Sequence, residues 1–84
     1  MRINIKNSFG ETIEFECESS FLLKSLTEKY KNLMKEKGNN IKDINFAFNG
    51  EILDEDNMYS TIKDLGIEDG GQIIATIPYI GGKI

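Results

Sequence analysis

Apolar and polar positions alternate at both ends of the chain and recur at three- and four-residue intervals between them. Met1, Ile3 and Ile5 alternate with Arg2, Asn4 and Lys6, which predicts a strand with one buried face. Asn7-Ser8-Phe9-Gly10 reads as a hairpin turn, with Gly10 where the backbone must be permissive. Over residues 12–18, Ile13, Phe15 and Cys17 fall on one side and Glu14, Glu16 and Glu18 on the other. That is a second strand with an acidic outer row.

The period then changes. Ser19-Ser20 offers a hydroxyl N-cap, and from Phe21 to about Lys37 the apolar residues Leu23, Leu26, Tyr30, Leu33 and Met34 keep helical spacing. Lys24, Glu28, Lys31, Lys35 and Glu36 occupy the other side. Lys35 and Lys37 favour the negative end of the helix dipole, and Gly38 suits the residue just past the helix, followed by the polar pair Asn39-Asn40. A helix of roughly 17 residues is about 25 Å long, enough to cross a small sheet.

Ile41 and Ile44 lead into Phe46-Ala47-Phe48-Asn49-Gly50-Glu51-Ile52-Leu53, a strand, a tight Asn-Gly turn and a return strand. Residues 54–57 read as a polar loop, 58–65 as a short helical turn with Ile62 and Leu65 inward, and 66–71 as a turn. Ile73, Ala75 and Ile77 alternate as the last strand, which Pro78 should end, since proline cannot donate to a ladder. The order is β-β-α-β-β-(short helix)-β. It describes an α+β fold in which one long helix packs its apolar stripe across a mixed sheet of about five strands.

The totals narrow the function. Eighty-four residues make one domain with one modest core. Apolar residues at 39% and charged residues at 29% describe an ordinary globular chain. A net charge of -4 argues against nucleic acid, which needs clustered cations. No apolar run approaches the roughly 18 residues of a membrane span, so membrane insertion is not expected. The N-terminus enters a strand pattern directly, without a signal-peptide core. The single cysteine requires no oxidising compartment. Histidine is absent, which removes the commonest general base and the commonest metal ligand together. With no activated nucleophile and no phosphate-cradling loop before a helix, the residues suggest no enzyme, no cofactor and no metal site.

This order of pieces resembles the ubiquitin superfamily, whose fold is the β-grasp. The opening Met1-Arg2-Ile3-Asn4-Ile5-Lys6, then Gly10 and Thr12-Ile13, is similar to the first hairpin of ubiquitin in the same register. Cys17 stands where ubiquitin has valine, and Leu23, Leu26 and Tyr30 fall where its helix turns inward. The central strand-turn-strand and the segment Ile62-Lys63-Asp64-Leu65-Gly66-Ile67-Glu68-Asp69-Gly70 resemble family elements too. Gly81-Gly82 lies as far past the last strand as the family's reactive diglycine. The resemblance covers nearly the whole chain. It implies a ubiquitin-like domain over 1–78, a flexible tail over 79–84, and a cytoplasmic or nuclear protein.

The departures bear on function. Residues 38–42 replace the family's proline-bearing loop and make that region a few residues longer. Ubiquitin's recognition patch of three exposed aliphatic residues corresponds here to Ser8, Ala47 and Thr76, with Phe9 beside the first. Each lost aliphatic anchor weakens such a contact by about 1–3 kcal/mol. Glu51 replaces the lysine of degradative chains, and Pro78-Tyr79-Ile80 precede the diglycine where arginines help select the activating enzyme.

Two functional classes emerge from the resemblance. The first is a non-enzymatic protein–protein interaction module, a small subunit or adaptor held through its sheet, helix face or tail. Its candidate contact residues are Ser8, Phe9, Ala47, Thr76, Tyr79 and Ile80. The second is a covalent modifier trimmed to Gly82 by a processing protease and passed by activating and conjugating enzymes to a target lysine, with Gly81 and Gly82 slim enough to enter narrow active sites. The absent patch favours the first. The residues leave Gly81-Gly82 open as a plain tail, and Tyr79 and Ile80 open as a fold-back onto the domain. Cys17 reads as a structural thiol, residues 54–57 as a solvated loop, and Lys24, Lys31, Lys35 and Lys37 as a solvated basic face.

Overall fold

A computed structural model of the chain describes residues 1–38 and 43–77. The elements are β1 (Arg2–Asn7), β2 (Thr12–Glu16), α1 (Leu23–Glu36), β3 (Asn45–Phe48), β4 (Glu51–Leu53), a 3₁₀ turn (Asn57–Tyr59) and β5 (Gly71–Thr76). The α+β fold expected from the alternation is the one observed. Five strands form one sheet in the order β2-β1-β5-β3-β4. β1 and β5 run parallel at its centre, and the other pairs are antiparallel.

Register follows the apolar pattern, because a slip of one residue would turn every large side chain to the wrong face. Ile3 faces Phe15, Ile5 faces Ile13, and Phe46 faces both Leu53 and Ala75. These inward residues meet Leu23, Leu26, Tyr30 and Met34 of α1 in a single core with Ile62, Ile67, Ile73 and Ile77. Tyr30 is its aromatic centre, edge-on to Phe15 at 6.3 Å and to Phe46 at 5.9 Å. Leu33 departs from the expected stripe: it is exposed, and Thr27 is buried in its place, its hydroxyl donating to Lys24 O at 3.0 Å.

The helix also starts later than its spacing suggests. Its N-cap is Leu22, and no side chain caps it. Ser19 and Ser20 are left outside because the freed amide is satisfied across the fold: Leu23 N–H donates to Ser60 O at 2.9 Å. Ile62 N–H to Phe21 O and Lys63 N–H to Ser19 O continue that seam at 2.9 and 3.0 Å. At the other end Gly38, with φ of +87°, takes the expected position, its N–H donating to Lys35 O at 2.9 Å. The segment 58–65 is shorter in helix than expected, although Ile62 is fully buried and Leu65 packs against the core.

Asn49 (φ 53°) and Gly50 (φ 81°) both hold the left-handed backbone that joins β3 to β4. The first turn is held differently, by a buried side chain. Asn7 Oδ1 accepts from Phe9 N–H at 2.9 Å and Glu11 N–H at 3.0 Å, while its amide donates to Glu11 Oε1 at 3.1 Å. The expectations for 39–42 and Pro78, and for Tyr79, Ile80, Gly81 and Gly82, concern positions outside the described residues.

Candidate interaction surface

Residues opposite one another in a sheet share a face. With Phe46, Leu53 and Ala75 turned to the helix, the next row points away from it. Lys6 pairs with Ile74, Ile74 with Ala47, and Ala47 with Ile52. Three aliphatic side chains therefore stand side by side on the outer face. Ile52 is 66% exposed and Ile74 39% exposed, and Ala47 is half-buried between them. Thr76 and its partner Asn45 lie one row further along, both exposed.

The four described contact candidates have different fates. Ala47 sits in the middle of this row. Thr76 borders it as a polar rim. Phe9 is 53% exposed at the tip of the first hairpin. The Ser8 side chain is tied back to the backbone of Ile77, accepting from its N–H at 3.2 Å and donating to its O at 3.3 Å. Ile52 and Ile74 are not among the candidates. The signal for them is the register: once Ala47 is placed outward, its two cross-strand neighbours must be outward as well.

The outer face changes character toward β2. Arg2 Nε lies 3.4 Å from Glu14 and 3.9 Å from Glu16, and Glu16 also takes the N-terminal ammonium at 3.2 Å. The acidic row is thus partly neutralised within its own sheet. Arg2, Glu14 and Glu16 are exposed, and such surface pairs contribute little to stability. Beside Ile74 a shallow cleft of about 560 Å³ opens toward Glu68 and Asp69. Asp69, which lines it, accepts Arg2 N–H at 2.6 Å.

On the helix side, a second cleft of about 490 Å³ lies between α1 and β4. Lys24 and Lys31 line one wall, and Asp54 and Glu55 the other. Both lysines rest over aromatic rings, Lys24 over Tyr59 at 5.5 Å and Lys31 over Phe46 at 5.9 Å. The loop at 54–57 is closed on itself: Asp54 and Asn57 each accept the other's N–H, at 3.1 and 2.9 Å.

Cys17 is half-buried and unpaired. Burial pushes its thiol above the ordinary value, against the pull of the nearby N-terminal ammonium. A thiol shifted in that direction holds less thiolate at neutral pH and suits a structural part. No helix among the described residues is long and apolar enough to cross a membrane.

A sequence model of the Rad60-SLD family, described as "Ubiquitin-2 like Rad60 SUMO-like", matches residues 1–77 of this chain. No curated protein matches it.

Proposed function

Because the chain belongs to this family of SUMO-like, ubiquitin-2-like domains, we propose that it is a non-enzymatic interaction module that docks another protein on the outer face of its sheet. Its place is that of a small subunit or adaptor. One observation carries the reading: Ile52, Ala47 and Ile74 line up across three strands, with both isoleucines open to solvent. Outward isoleucines beside a polar rim have the composition of a protein contact, with an apolar centre and wet edges. Ubiquitin's three-residue patch is not reproduced in place. The aliphatic row is instead built from Ile52 on β4 and Ile74 on β5, on either side of Ala47.

The test uses tagged full-length protein expressed in its own cells. Ile52→Asp and Ile74→Asp are expected to reduce recovery of a co-purifying partner at least tenfold, about 1.4 kcal/mol or more. Lys35→Ala, on the exposed side of the helix, should leave it unchanged. Equal recovery in all three would remove the sheet face from the proposal. Tyr79→Ala and Ile80→Ala ask the same of the tail.

A second reading rests on Gly81-Gly82 and its distance past the last strand. In it, a protease removes Lys83-Ile84, and activating and conjugating enzymes join the Gly82 carboxylate to a lysine. Higher-mass adducts on a denaturing gel that vanish in Gly82→Ala would establish the modifier. A single band in both leaves docking alone.

A further inference from the structure

We propose that Ser8 is a hydroxyl clasp that holds the end of the last strand, at Ile77, to the first hairpin. The proposal stands whether the protein docks or is conjugated, because it concerns the hold on Ile77 alone.

The β1–β5 ladder ends with Asn7 opposite Ala75. Beyond it β1 turns away into the hairpin, so the next backbone groups of the last strand lose their ladder partner. Ser8 Oγ takes that place. It accepts Ile77 N–H at 3.2 Å and donates to Ile77 O at 3.3 Å, although the two residues are 69 positions apart in the chain. A serine hydroxyl can do both at once because it carries one donor and two acceptor sites. An alanine can do neither.

The hydroxyl is not placed by chance. Ser8 sits in a turn that the buried Asn7 holds on both sides, through the N–H groups of Phe9 and Glu11. Gly10, with φ of +91°, lets the chain return into β2. Ile77 is fixed from below by its side chain, which is buried in the core. The clasp fixes its backbone from above. When Ser8 Oγ is engaged elsewhere, by a partner's polar group or by a modification, Ile77 keeps only the lower hold.

Amide hydrogen exchange tests this on the intact chain. In Ser8→Ala, Ile77 N–H should exchange about five times faster. The amides of Ile5 and Ile73, inside the β1–β5 ladder, should keep their rates. Ser8→Thr retains a hydroxyl and should restore the protection at Ile77. An unchanged Ile77 rate in Ser8→Ala overturns the clasp. So does an increase spread evenly over Ile5, Ile73 and Ile77, which would mean general loosening of the fold.

Discussion

The ring of Tyr30 stands edge-on to that of Phe46, at 5.9 Å and 79°, while its hydroxyl, in the same core, has no hydrogen-bond partner among the described residues. The ring is well placed and the oxygen is not. The Asn7 side chain approaches the hydroxyl and favours its ionisation, while one hydrogen of its amide goes to Glu11. A buried polar group without a partner costs about 1–3 kcal/mol. Tyr30→Phe is therefore expected to leave stability, read from the urea midpoint, unchanged or raised by up to about 1 kcal/mol, where most core changes lower it.

The same hydroxyl makes stability sensitive to alkali. Burial raises the Tyr30 pKa above the ordinary tyrosine value, with Glu11 adding to it. The folded state therefore prefers the neutral phenol. Its contribution is complete below about pH 10, the unfolded value, and is lost as pH climbs through the folded one. Urea midpoints at pH 8 and pH 11 should fall less in Tyr30→Phe than in the wild type. Equal falls would mean that the hydroxyl reaches solvent.

Asn7→Ala should cost about 1–3 kcal/mol, because three hydrogen bonds of the first turn lose their common side chain. Chemical denaturation gives the magnitude. Chemical-shift changes confined to residues 6–12 and to Ile77 would show that the damage is local to the hairpin and the clasp it supports.

Gly71 offers a steric test. A Cβ there would stand 2.9 Å from Glu68 O and 2.9 Å from Ile67 Cγ2. The first is rigid backbone, so Gly71→Ala should destabilise by about 1–3 kcal/mol through overpacking at the start of β5. A variant as stable as wild type would show that the loop before β5 yields freely.

Cys17 should alkylate slowly at pH 7 and faster as pH rises, because its half-buried thiol is pushed up by desolvation. Mass spectrometry after a timed maleimide pulse reads the rate. A rate at pH 7 equal to that of a small free thiol would contradict the buried assignment.

The fold is readable in the sequence because its signals are local and repeated. The alternation of Ile3 and Ile5 with polar residues, and of Ile13 and Phe15 with glutamates, marks inward faces that register then confirms. The helix start is not readable at Ser19-Ser20, because its cap is a backbone contact with Ser60, far along the chain. The outer aliphatic row escapes for a related reason. A period of two marks the buried face and treats the other as solvent. Ile73-Ile74 breaks that rule by placing an isoleucine on each side, and only the pairing of Ile74 with Ala47 shows that the exposed one has company. Candidates taken from the resemblance include Ala47, at the centre of the row, but not the two isoleucines flanking it.

The opening strand lies between β2 and the final strand. While the chain is being made, the first hairpin and the helix exist long before anything can cover the other flank of β1. The ribosome must release β5, up to Thr76, before the middle of the sheet can close. Contacts that distant in sequence are the slow kind to form. Until then the flank of β1 that β5 will pair with is a bare strand edge on the growing chain.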